Sequence, residues 1–112
     1  MARETHGYDI REYIRSDGGS PFREWLDDLP VQTRARIQAR VARMEVGNLG
    51  DVKAVGSGVL EARIHFGPGY RVYLGIEGAV AVILLCGGDK GSQAKDVRLA
   101  RRFWQDYRAR SD

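Results

Sequence analysis

Glu61, Arg63 and His65 occupy alternate positions in the segment from Val59 to Phe66. In an extended chain they point to one face while Leu60, Ala62, Ile64 and Phe66 point to the other, buried one. The next segment, Tyr70 to Ile76, repeats the pattern, with Val72, Leu74 and Ile76 inward and Arg71 and Tyr73 opposite. Gly67-Pro68-Gly69 between them suits a tight antiparallel hairpin, which would merge the two polar sets into one patch of cations, an aromatic ring and candidate proton carriers. Parity alone carries this expectation, and a bulge at the glycine-rich turn would reverse it. Two readings of such a patch stand side by side. It is either a site, or an ordinary solvated sheet face on which Arg63 and Arg71 pair with Glu61 and contribute almost nothing to stability. His65 by itself says little, and His6, near the terminus, carries no signal.

A second group is Gly87-Gly88-Asp89-Lys90-Gly91-Ser92, placed between an apolar strand and a helix. Free amide hydrogens and the helix dipole at such a junction favour phosphate, and Lys90 would reinforce that. The other reading is a connecting turn in which Asp89 or Ser92 caps the helix and Lys90 is solvated. Neither glycine group has the spacing or the strand-to-helix placement of a dinucleotide fingerprint. No CxxC, HExxH or carboxylate cluster at ligand spacing occurs, so neither a metal site nor a cofactor is expected.

The elements that must hold these residues follow from periodicity. Tyr8 to Ile14 alternates loosely as a partly exposed strand. Ser20-Pro21 reads as an N-cap followed by proline at the first helical position. The short helix that follows carries Phe22, Trp25, Leu26 and Leu29 at core spacing. Pro30 opens a second helix with Ile37, Val41 and Met44 on one face, while Arg34, Arg36, Arg40 and Arg43 spread over the remainder as a solvated surface. Gly47 to Gly58, with glycines at 47, 50, 56 and 58, reads as a mobile loop that holds one lysine, Lys53. Strands are expected over Val59 to Phe66, Tyr70 to Ile76 and Ala79 to Cys86, the last apolar on both faces and ended by Gly87-Gly88. From Ser92 a final helix aligns Val97, Ala100, Phe103, Trp104 and Tyr107. Segregated runs of helices and strands make this an α+β fold, a two-layer sandwich with a mainly antiparallel sheet of about four strands, two N-terminal helices and one C-terminal helix. One sheet face would carry the helices and the other would be free for use.

At 112 residues the chain fits a single domain. Its 18 Lys and Arg against 15 acidic residues give a net charge of +3, which permits a polyanionic partner without requiring one. The one cysteine, Cys86, sits in an apolar run and reads as a small buried thiol, and the lack of a disulfide framework fits a reducing cytoplasm. Charged Arg3, Glu4, Arg11 and Glu12 interrupt the beginning, and no apolar stretch approaches the roughly 18 residues of a membrane span. A soluble, unexported, cytoplasmic protein is the expectation, with no membrane partner.

Three runs together carry a resemblance: Gly58-Val59-Leu60-Glu61-Ala62-Arg63-Ile64, Gly67-Pro68-Gly69-Tyr70-Arg71-Val72-Tyr73, and Leu84-Leu85-Cys86-Gly87-Gly88-Asp89-Lys90-Gly91-Ser92-Gln93. In that order they resemble the RelE and ParE superfamily of toxins, in the subgroup called addiction module killer proteins, near HigB, over Tyr8 to Tyr107. The resemblance implies the same α+β fold as a single RelE-like toxin domain. It also implies a type II toxin and antitoxin pair, in which the partner, a helix-turn-helix protein, wraps the toxin in a hetero-oligomer.

RelE-like members enter the ribosome and cleave messenger RNA, whereas ParE-like members inhibit DNA gyrase without cutting nucleic acid. Fold alone does not choose between them. The resemblance gives Arg71 the place of the arginine that contacts the scissile phosphate, Arg63 that of a basic residue on the preceding strand, and Lys90 that of a third basic residue. An RNA-cleaving reading therefore assigns Arg63, Arg71 and Lys90 to the reacting phosphate and Lys53 and Gln93 to RNA contact, with His65 or Tyr73 assisting proton transfer. One departure stands out: the RelE type has a catalytic tyrosine early in its last helix, and Ala94-Lys95-Asp96 has none. A gyrase inhibitor, and a degenerate protein that only binds an antitoxin, are the alternatives.

Overall fold

Ser20 starts the first helix as its sequence predicts. Its Oγ accepts a hydrogen bond from the Arg23 amide at 3.0 Å, and Pro21 occupies the first turn. In the computed structural model, which describes residues 7–111, the elements are β1 (Asp9–Glu12), α1 (Pro21–Asp27), α2 (Val31–Glu45), β2 (Val52–Ala54), β3 (Leu60–Ile64), β4 (Tyr70–Glu77), β5 (Ala81–Gly88), a 3-10 turn (Lys90–Ser92) and α3 (Gln93–Ser111). Arg3, Glu4 and His6 lie outside the described residues. The sheet order is β1-β5-β4-β3-β2, antiparallel except for β1, which runs parallel to β5.

The α+β class is as expected, but the helices cover both faces of the sheet. On one face Phe22, Leu26, Ile37 and Met44 of α1 and α2 pack on Ala62, Ile64, Val72, Leu74, Val82 and Leu84. On the other, Ala100 and Trp104 of α3 pack on Tyr73, Ala81, Ile83 and Leu85, with Tyr13 beside them. An apolar β5 with side chains on both faces needs cover on both, and α3 supplies the second layer. Among the described residues, helices lie on both faces of the sheet, and the polar groups at the middle of the α3 side are covered. Glu61 and Tyr73 are both 0% exposed.

Other expectations shift in detail. The glycine-rich segment expected to be a loop contributes the short edge strand β2, paired with β3 through Lys53 and Glu61, so the sheet has five strands. Strand β3 stops at Ile64, before His65 and Phe66, and β5 continues through Gly87 and Gly88. The β4–β5 register slips between Tyr73 and Leu74, with Tyr73 opposite Cys86 and Leu74 opposite Leu84. Leu85 is thus the extra residue of a bulge, which re-aims the end of β5. Past it, a Cβ on Gly87 would lie 2.2 Å from Trp25 and one on Gly88 would lie 1.8 Å from Asp96, so helices press on both sides where only glycine fits. Arg40, expected on a solvated surface, is 4% exposed and donates to the Arg63 carbonyl at 3.3 Å and the Asp51 carbonyl at 3.0 Å. No helix among the described residues is long and apolar enough to cross a membrane.

Candidate functional site

The register confirms the side-chain parity of the two central strands. Glu61 stands opposite Tyr73, and Arg63 stands opposite Arg71. Four donors converge on the buried Glu61 carboxylate. Its Oε2 accepts from the Tyr73 hydroxyl at 3.1 Å and from Gln93 Nε2 at 2.8 Å. Arg71 Nε lies 3.5 Å from the same oxygen and Arg63 Nε 3.5 Å from Oε1. A carboxylate with no access to water is tolerable here because paired charges and hydrogen bonds replace its hydration.

The cations lie above the carboxylate. The Arg63 side chain is 35% exposed and Arg71 12%. Arg71 Nη1 donates to the Gly69 carbonyl at 2.9 Å, and its buried Nε makes an ion pair with Glu61 without a formed hydrogen bond. A guanidinium offers five donors. Those of Arg63 Nη1 and Nη2 and Arg71 Nη2 have no protein partner among the described residues. Lys90 and Arg71 both pass close to Gly69: the Lys90 Cβ and Arg71 Nη1 lie 3.8 and 3.5 Å from where a Cβ on that glycine would sit. Lys53, opposite Glu61 on β2, is exposed on the same sheet face. The arrangement is a cationic rim over an acidic floor of Glu61 and Asp96, the latter accepting from Ser92 Oγ.

The turn before α3 is a capped one. Asp89 Oδ1 accepts from the Gly91 amide at 2.8 Å and from the Ser92 amide at 3.2 Å, so these donors serve the carboxylate, and Lys90 projects as an exposed cation.

Tyr73 and His65, the two candidate proton carriers, are placed differently. Burial first, and then the Glu61 charge, push the Tyr73 phenol above its ordinary range, so it stays protonated and faces inward. His65 lies past the end of β3, exposed, with Nε2 3.0 Å from Asp51 Oδ2. Its only partner among the described residues is Asp51, and it lines a separate groove with Arg36, Arg40 and Arg43. Burial and Asp96 push the Cys86 thiol up to about 12, so it is an inert core group.

Sequence reasoning missed the central part of Glu61 and the burial of Asp96. A two-faced apolar β5 was the available signal, since it calls for a covering helix over Glu61. Gln93, expected to contact RNA, is half-buried and donates its side-chain amide to Glu61, which fastens the start of α3 to β3.

The pattern of the family described as Phage derived protein Gp49-like (DUF891) matches residues 24–104, a span that includes every one of these charged positions. An uncharacterized protein of Haemophilus influenzae is 48% identical over 86 residues, which are 76% of this chain and 87% of that protein. No solved structure matches the chain. The Gp49-like family is associated with toxin-antitoxin modules. With strands β2 to β5, the arginine pair and the start of α3 all inside the matched span, this chain belongs to the phage-derived Gp49-like family (DUF891).

Proposed function

We propose that this protein is the toxin of a type II toxin-antitoxin pair and that it cleaves messenger RNA on the ribosome, as the resemblance to HigB-like toxins implies. The observation that carries the reading is the pairing of Arg63 and Arg71, opposite each other across β3 and β4, with the buried Glu61 carboxylate, while Lys90 stands exposed in the turn after β5. In this reaction the ribose 2′-oxygen bonds to the adjacent phosphorus and the bond to the leaving 5′-oxygen breaks. A proton leaves the 2′-oxygen and one reaches the 5′-oxygen, giving a 2′,3′-cyclic phosphate and a 5′-hydroxyl. Negative charge gathers on the phosphate oxygens in between, and fixed guanidinium and ammonium donors stabilise it.

Glu61 pairs with both arginine heads at Nε, which leaves both Nη of Arg63 and Nη2 of Arg71 available to a ligand and lowers the cost of ordering them. Tyr73 faces away from solvent, so the chain's contribution is mainly electrostatic, with proton transfer left to water or to groups of the ribosome. That same feature favours a second reading, a gyrase inhibitor that binds without cutting. A cognate antitoxin, expected to be a helix-turn-helix protein, would neutralise either activity by covering the rim.

Mapping transcript ends after induction separates the two. New 5′-hydroxyl ends inside messages, absent with Arg71→Ala, are the expected result. Growth arrest with intact transcripts and accumulated gyrase-cleaved DNA would replace this reading with the second.

A further inference from the structure

The second face of the hairpin tip carries a groove of about 450 Å³ that the proposed cleavage chemistry does not use. Arg36, Arg40 and Arg43 of α2 form one wall, and Asp51, His65 and Phe66 form the other. The floor is the backbone of β3: Arg40 donates to the carbonyl of Arg63, whose own side chain belongs to the cationic rim. Groove and rim are therefore two sides of one strand end.

The groove combines charge with stacking. Arg36 Cζ lies 4.2 Å from the centroid of the Phe66 ring, and Phe66 in turn stacks on Tyr70 with centroids 6.4 Å apart at 26°. Arg36 and Arg43 are exposed, and neither has an acidic partner within the protein among the described residues. Asp51, the one acid in the wall, is held by His65. A cationic wall beside an arginine-capped aromatic stack fits a chain of phosphates whose bases can extend the stack, because guanidinium planes and aromatic rings both accept bases by face. An acidic protein segment would match the charge but leave the stack without a role.

We infer that this groove is a second RNA-binding site, which holds the single strand flanking the cut nucleotide by phosphate contacts from Arg36 and Arg43 and by base stacking on the Arg36 guanidinium plane, which Phe66 backs. The inference rests on the RNA reading above, but the two fail separately. RNA that is cut normally by a groove variant with undiminished binding removes the groove and leaves the cleavage reading. RNA that is bound through the groove but never cut does the reverse.

The test measures fluorescence polarisation of a short labelled single-stranded RNA against the full-length protein. The strand is 2′-O-methylated throughout, so that the attacking oxygen is blocked and the probe stays whole. Arg36→Glu with Arg43→Glu is expected to weaken binding at least tenfold and to reduce the slope of log affinity against log salt by about 1.4, for two lost phosphate contacts. Phe66→Ala is expected to weaken binding about tenfold with little change in salt slope, as lost stacking does. Unchanged melting curves for the arginine variant show that the fold is intact, because both side chains are exposed. Wild-type affinity in the arginine variant overturns the inference, as does absence of binding by the wild-type protein. Loss of binding to polyglutamate with RNA binding retained also overturns it and identifies a protein-docking face.

Discussion

Arg63 and Arg71 face each other directly across β3 and β4, and both turn Nε toward the single carboxylate of Glu61. Like charges directly opposite on one sheet face repel. The buried acid offsets that repulsion and fixes where the two heads can go. Stability and function are therefore joined at Glu61.

Replacing Glu61 with Ala should leave Arg71 and Arg63 unopposed and strip Tyr73 and Gln93 of their acceptor. Removing one partner of a buried pair costs about 3 kcal/mol or more, reduced here because Arg63 is partly solvated. Urea unfolding of the wild type and variant would show it as a lower midpoint. An unchanged midpoint would mean that the carboxylate does not hold the cluster.

Arg71→Lys keeps a positive charge but cannot reach Glu61 and the Gly69 carbonyl with one planar group. Growth arrest should be much weaker than wild type, with stability falling by about 1 kcal/mol for the lost hydrogen bond. Full toxicity in this variant would show that bare charge is enough.

Tyr73→Phe removes a hydroxyl that reaches Glu61 and not the solvent. Leaving the buried acceptor short should cost about 1 to 2 kcal/mol, while toxicity at permissive temperature stays near wild type. A folded variant that no longer arrests growth would make the phenol a participant in the chemistry.

Trp104 is 5% exposed and stacks on Tyr107 with centroids 5.6 Å apart. Trp104→Ala should cost about 3 to 5 kcal/mol by leaving a cavity under α3. Any loss of toxicity should track loss of fold in a melting experiment, unlike that of Arg71→Lys.

The Tyr13 hydroxyl donates to Asp106 Oδ2 at 2.6 Å, and this bond above all holds the Asp106 carboxyl below its ordinary value of 3.8. A depressed carboxyl contributes stability above its unfolded pKa and loses it as pH falls through the folded one. Unfolding midpoints compared at pH 5 and pH 3 should fall less in Tyr13→Phe than in wild type. Equal falls would show that Asp106 is not linked to folding through Tyr13.

Strand periodicity made the face shared by Glu61, Arg63, Arg71 and Tyr73 legible, because alternation is a local property and the turn at Gly67-Pro68-Gly69 kept the strands in phase. Local pattern did not show what lies over that face. Only the docking of α3 reveals that Glu61 is buried and that Gln93 serves it. Strand β2 escaped notice because three residues between glycines have too little period to read, and pairing with β3 creates the strand. The burial of Arg40 was available in principle. It lies three residues after Ile37 and four before Met44, on the stripe that faces the sheet, but residue type argued for solvent. His65 follows the alternation in sequence, yet β3 ends one residue earlier, so its position depends on the hairpin turn.

The most direct test uses ribosomes programmed with a defined message, incubated with the purified protein and read by primer extension. The wild type should produce one new 5′ end within the codon of the A site, and Arg71→Ala, folded by its melting curve, should produce none. Equal cleavage by the two proteins, or no cleavage by the wild type, would contradict the assignment of Arg63, Arg71 and Lys90 to the reacting phosphate.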